Sequence, residues 1–290
     1  MSDIGLVLGG GGAKGAYEIG AWHALCQHGI NKNIKMYSGA SIGAINCALI
    51  QLMDSDSAAE VWLEYDLQKR FMDNGIDYNE IVQIINRIKK GKNVDFDGIL
   101  SRDGLIELLD ELNIENLEKS EKDFYASVVN ITKIPKERRF LKPAIDWYEG
   151  RKTGFTQYIN LKNANKDFIV KVLSASSALP VIYTPIIIED QYFVDGGVND
   201  NLPIYPVYQS GYRKIIVISC ERVNYFSIMR RYPSIQMILI QPSRYLGNLL
   251  NGTLNFNQDK LKQSFELGYN DAMNAIKRNH SIFGTTFLGD

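Results

Sequence analysis

"IGLVLGGGGAKG", residues 4–15, sets a short β-prone run against four consecutive glycines. Apolar residues Ala16, Ile19, Ala24 and Leu25 then recur at helical spacing. A second unit of the same kind follows at once. In "IKMYSGASIGAINCALIQLM" a short run to Ser38 breaks at a glycine corner around Ser41 and continues as a small-residue helix to about Met53. Strands alternating with helices predict a parallel sheet covered on both faces, an α/β fold.

The rest of the chain adds to this core. Residues 54–121 are charged and helical in pattern, with "NEIVQIINRIKK" and "RDGLIELLDELN" as amphipathic stretches, the second started by Ser101 or Asp103 as a cap. Strand signals resume in "FYASVVNIT" and "DFIVKVLSASSALP", which flank a basic turn "KIPKERRFLK". They continue in "VIYTPIIIEDQYFVDGG", "YRKIIVISC" and "IQMILIQP", and a terminal helix is expected over about 258–279. With no internal repeat or low-complexity linker, residues 1–290 read as one domain. Its motif-bearing core is about 4–220, its helical insertion about 54–121, and its C-terminal strand and helix about 234–279.

Composition limits the partners. A net charge of -1 leaves no global basic field to attract nucleic acid or anionic membrane. The start "MSDIGLVLGGGG" lacks the charge and apolar length of a secretory signal, and no run reaches the ~18 apolar residues of a membrane span. A cytoplasmic protein is expected. Cys26, Cys47 and Cys220 lie in apolar segments and read as reduced packing residues.

The glycine loop admits three readings. Gly10, Gly12 and Gly15 fit a dinucleotide-binding turn, yet the second strand ends in "MYSGAS" with no acid for a ribose. A phosphate-cradling P-loop needs Gly-Lys followed by Ser or Thr, whereas Lys14 sits between Ala13 and Gly15. The third reading makes the amides of Gly10, Gly11 and Gly12 an oxyanion pocket at a helix amino end. No cofactor is then required.

The serine corner favours the third reading. Gly39, Ser41 and Gly43 form G-x-S-x-G between a strand and a helix, the setting of a nucleophile elbow. Its proton needs an acceptor. His23 and His28 fall within the first helix, while His280 follows the last and would suit a Ser, Asp, His order. The better candidate is Asp195, which ends the apolar strand of "YFVDGGVNDN". Burial beside Phe193 and Val194 would raise its pKa toward that of a useful base. The spacing of Asn199, Asp200 and Asn201 fits no EF-hand loop, so no metal is expected.

Taken together these motifs resemble the patatin-like phospholipases. The family's Gly-Gly-Gly-x-Lys/Arg-Gly is matched by Gly10, Gly11, Gly12, Ala13, Lys14 and Gly15, its G-x-S-x-G by Gly39 to Gly43, and its Asp-Gly-Gly by Asp195, Gly196 and Gly197. "SASSALPVIYTP" is similar to the Ala/Ser-rich segment before the family's Asp strand. The resemblance implies a three-layer α/β/α fold with a mostly parallel sheet, a Ser41/Asp195 dyad, and a glycine loop supported by Lys14. It also implies a lipid ester substrate met at a membrane surface. "KIPKERRFLK" is a candidate for contact with anionic head groups at about 1 kcal/mol per charge. Residues 244–256 or 54–121 are candidates for a lid.

Overall fold

The computed structural model describes residues 3–72 and 100–279, with a few isolated positions between them. "NEIVQIINRIKK" falls largely outside the described residues, and His280 lies wholly outside them.

An eight-stranded sheet forms the middle of the molecule. Strands β1 (Ile4–Leu8), β2 (Ile34–Ala40), β3 (Asp123–Asn130), β7 (Lys214–Ile218) and β8 (Gln236–Ile240) run parallel, in the order β3, β2, β1, β7, β8. Strands β4 (Phe155–Asn160) and β6 (Gln191–Asp195) pair antiparallel with β3, and β5 (Ile186–Ile188) forms a hairpin with β6.

Alternation along β1 sorts the two faces. Leu6 and Leu8 enter the larger apolar cluster, where helices α1 (Gly15–Gln27), α2 (Ile42–Leu52), α3 (Ser55–Leu63) and α4 (Leu67–Met72) also contribute. Helix α5 (Asp103–Glu111) joins the same cluster through Leu105, Leu108 and Leu109. Val7 points the other way, into a smaller cluster with Ile204 and Val207 of helix α8 (Ile204–Gln209). Helix α6 (Leu141–Tyr148) precedes β4, and α9 (Tyr225–Arg231) links β7 to β8. The α/β/α layering expected from the resemblance is present, with one helical layer much heavier than the other.

Residues 166–176 correct the sequence reading. They form helix α7 (Lys166–Ser176), not a strand. Ile and Val favour strands, but Ile169, Val172 and Leu173 recur at helical spacing and are fully buried, and the Asn165 side chain caps the first turn by accepting from the Phe168 N–H. Sequence reading also missed β4, whose residues alternate between exposed and half-buried at the sheet margin.

The long C-terminal helix α10 (Gln258–Arg278) packs along α1 at unusually close range. A Cβ on Gly20 would lie 2.0 Å from the Phe265 carbonyl oxygen, and one on Gly268 would lie 1.9 Å from that of Tyr17. Glycine on each helix therefore permits backbone contact. Through α1, this helix buttresses the loop that precedes it.

Candidate active site

The registers around β3 bring two distant residues together. Strand β2 runs along one edge of β3 until Ala40 faces Ser127, and β6 takes up that edge from the opposite direction, with Asp195 facing Val128. Strand β4 occupies the other edge from Tyr125 to Asn130. The carboxyl ends of β2 and β6 thus meet head-on, which places Ser41 beside Asp195 although 154 residues separate them.

Their contact is direct. The Ser41 hydroxyl donates to Asp195 Oδ2 at 2.6 Å, and Asp195 Oδ1 accepts the Gly197 N–H at 2.7 Å. Ser41 has φ 55° and ψ -130°, a region that costs a non-glycine residue on the order of 1–3 kcal/mol. The surrounding glycines permit it: a Cβ on Gly39 would lie 2.5 Å from the Ala44 nitrogen, and one on Gly43 2.4 Å from the Gly9 carbonyl oxygen. Gly196 is equally confined, 2.1 Å from the Ser127 carbonyl oxygen by the same measure.

Burial pushes the Asp195 carboxyl up to about 6, against the opposing effects of the Ser41 hydroxyl, the Gly197 N–H and the Arg102 charge. Only 3% of the residue is exposed. Such a carboxylate is more basic than one in water and still ionised at neutral pH.

Two serines and an alanine in "SASSALP" hold this pair. The Ser176 hydroxyl accepts the Ser41 N–H at 3.0 Å and donates to the Ser127 carbonyl at 2.8 Å. The Asp195 N–H donates to the Ala178 carbonyl at 3.0 Å. The Ser177 hydroxyl accepts from Arg102 Nη1 at 2.9 Å. The small, polar composition of this segment was visible in the sequence, but its function as a clamp depends on the end of α7 packing across β3.

The glycine loop carries a division of labour that spacing could not reveal. The Gly10 N–H donates to Asn201 Oδ1 at 2.9 Å, and Asn201 Nδ2 donates back to the Gly10 carbonyl at 3.2 Å. Gly10 is thereby engaged as an anchor, and the amides of Gly11 and Gly12 are left as the loop's donors. Gly12 adopts φ 57°, and a Cβ there would lie 2.2 Å from the Thr253 carbonyl oxygen. Lys14 turns away, its ammonium 3.1 Å from the exposed Glu221 carboxylate. A Cβ on Gly15 would lie 2.8 Å from the Ile42 side chain, so this glycine lets α1 approach the serine helix.

Gly10, Gly11, Gly12, Ser41 and Asp195 all line a cavity of about 250 Å³. Its remaining wall is mainly apolar, including Ile45, Leu105, Trp147, Leu179 and Phe256. Thr253 and Leu254 come from the 244–256 stretch, which covers the glycine loop. A largely apolar cavity with a few convergent polar groups suits a small-molecule ligand.

Other candidates lie elsewhere. His23 contacts Gln27 and the rings of Phe265 and Tyr269, while His28 Nε2 lies 3.2 Å from Met273 Sδ. Neither lines the cavity. Asn199 bonds to Thr153, Asp200 accepts the Tyr158 hydroxyl, and Asn201 holds Gly10, so these side chains diverge. The basic stretch is partly consumed internally. Arg139 lies over the Tyr192 ring and donates to two carbonyls, Lys133 lies over Phe155, and Lys142 pairs with Asp146. It passes through a 3-10 turn at Lys136–Arg138 and runs into the first residues of α6. Among the described residues, no helix is long and apolar enough to cross a membrane.

A family model described as patatin-like phospholipase matches residues 6–208. The chain is 24% identical over 293 residues to lysophospholipase NTE1 of Kluyveromyces lactis, covering 98% of this chain and 17% of that protein. It is 26% identical over 211 residues to probable lipid hydrolase 463L of Invertebrate iridescent virus 6, covering 69% of this chain and 61% of the other. The chain therefore spans less than two thirds of either relative. In fold it is similar to VipD from Legionella pneumophila, with TM-score 0.56 and 17% identity over 96% of this chain and 67% of that one. It is also similar to human GIVD cytosolic phospholipase A2, with TM-score 0.51 and 9% identity over 98% of this chain and 59% of the other. Every motif quoted from the sequence lies within the matched range, whereas β7, β8 and α10 lie beyond it.

Proposed function

The chain belongs to the patatin-like phospholipase family, and from that premise we propose that it hydrolyses fatty-acyl esters of phospholipids or related lipids through a Ser41/Asp195 dyad. The observation that carries this reading is the 2.6 Å hydrogen bond from the Ser41 hydroxyl to a buried carboxylate. Ser41 Oγ attacks the ester carbonyl carbon as its proton passes to Asp195 Oδ2. The carbonyl oxygen becomes an oxyanion stabilised by the Gly11 and Gly12 N–H groups, with Gly10 holding the loop through Asn201.

When the tetrahedral intermediate collapses, Asp195 gives its proton to the departing alcohol oxygen and the acyl group stays on Ser41. Water then attacks the acyl carbon, Asp195 takes a proton from it, and that proton returns to Ser41 Oγ as the fatty acid leaves. Atoms and charge balance without a cofactor. One carboxylate does both proton transfers because its raised affinity lies closer to neutrality than that of an ordinary aspartate.

The acyl chain occupies the apolar wall of the cavity. Its substrate lies in a bilayer or micelle, so the protein makes peripheral, transient contact with that surface, and the exposed Tyr148 beside the cavity residue Trp147 suits such contact. Product analysis on mixed phospholipids tests the whole reading. Wild-type protein is expected to release fatty acid, and Ser41→Ala to reduce release at least ~10³-fold. Undiminished hydrolysis by Ser41→Ala overturns it.

A further inference from the structure

The cavity holds a second polar group that the dyad chemistry does not use. Arg102, immediately before α5, lines the cavity with its guanidinium carbon 3.9 Å above the Tyr183 ring centroid. Nη1 donates to Ser177, but Nε and Nη2 are buried with no hydrogen-bond partner among the described residues. Unpaired donors on a buried cation are costly, and a bound anion removes that cost.

Asp195 does not fill this vacancy. Its two oxygens are occupied by Ser41 and Gly197, and Arg102 acts on it through space without a hydrogen bond. Lys14 does not line this cavity, and its ammonium is paired with Glu221. The reaction's own oxyanion is served by the glycine loop, which approaches on a different element. Arg102 is thus fixed by Ser177 and Tyr183 with part of its donor fork free, in the same chamber as the nucleophile. A guanidinium fork suits a phosphate, which can accept two of its N–H groups at once.

The geometry points to Arg102 as a specificity-determining residue that binds the phosphate of a phospholipid substrate while Ser41 attacks the acyl ester. This inference rests on the ester-hydrolase reading of the Ser41 site and adds to it a preference for substrates bearing phosphate near the scissile bond. Neutral glycerides lack that group and are held only by their acyl chain and ester.

The experiment compares a short-chain monoacyl glycerophosphocholine with the monoacylglycerol of the same chain, both below their micelle concentrations. Wild type, Arg102→Met and Arg102→Lys are assayed for kcat/KM on each. Loss of hydrogen bonds to a charged group predicts a fall of roughly 10- to 100-fold for Arg102→Met on the phospholipid. The lost bond to Ser177 and the lost charge near Asp195 act on both substrates alike, so the readout is the phospholipid-to-glyceride ratio of kcat/KM, which is expected to fall roughly 10-fold or more in Arg102→Met and less in Arg102→Lys. Turnover of the neutral ester also shows that each variant is folded. Equal losses on both substrates, or no loss on either, overturn the inference.

Calorimetric binding of the same two lipids to Ser41→Ala, with and without Arg102→Met, separates it from the parent reading. If wild type turns over neither lipid, the hydrolase reading fails, and selective loss of phospholipid binding still identifies Arg102 as the phosphate contact. If hydrolysis occurs but Arg102→Met binds both lipids like its parent, the hydrolase reading stands and the inference falls.

Discussion

Asp195→Asn separates the demands of catalysis from those of stability. Asparagine has nearly the same shape: Oδ1 can still accept the Gly197 N–H, and Nδ2 can donate to Ser41 Oγ in place of the present bond. What disappears is the buried negative charge. Raising a carboxyl from 3.8 to about 6 corresponds to ~3 kcal/mol of destabilisation of the folded state when the group is ionised. The folded pKa is the higher one, so the native state binds the proton more tightly than the unfolded chain. The carboxyl's favourable contribution is full below about pH 4 and is lost as pH rises through about 6. Relative to wild type, Asp195→Asn should therefore gain stability between about pH 4 and pH 6 and hold the gain above.

At about 2 °C per kcal/mol for a chain of this size, the variant's Tm advantage should be roughly 6 °C greater at pH 8 than at pH 4. Hydrolysis should meanwhile fall at least ~10³-fold, because Asn cannot accept the serine proton. Thermal denaturation of both proteins from pH 4 to pH 8 is the assay. A Tm difference that does not change with pH would refute the argument that Asp195 is held ionised at the expense of stability.

Wild-type kcat/KM should rise with pH through about 6 and then level, since Asp195 must be ionised to take the serine proton; a limb near 4 in a rate profile would show that burial does not raise it. Ser41→Gly should abolish hydrolysis yet raise unfolding free energy by up to ~1–3 kcal/mol in denaturant titrations, because glycine tolerates φ 55°. Ser176→Ala leaves the Ser41 N–H without its partner and should cost ~1–3 kcal/mol in the same titrations, with kcat reduced more than KM is raised. Gly20→Ala would set a Cβ 2.0 Å from the Phe265 carbonyl oxygen, forcing the two helices apart, and should lower Tm sharply without changing the pH limb of whatever activity is retained.

Local sequence carried much of this protein. Two strand, glycine-corner, helix units fix an α/β core, because the 2-residue and helical periods and the glycine corners act within a few residues of one another. The residue types at Ser41, Asp195 and the glycine loop were legible for the same reason: strained elbows and close backbone approaches admit few side chains. Residues 166–176 show where local preference fails. Their Ile and Val content suggests a strand, and burial of one face decides for a helix.

Tertiary structure decided the rest. Ser41 meets Asp195 because β2 and β6 share one edge of β3 from opposite directions, a fact of register that no local pattern encodes. The engagement of Gly10 by Asn201, the clamp made by Ser176, Ser177 and Ala178, and the part-free guanidinium of Arg102 all depend on contacts between distant segments. Sequence specified which groups could do chemistry, since that depends on residue type and local backbone. Folding determined which of them share one cavity, because burial and proximity are properties of packed elements.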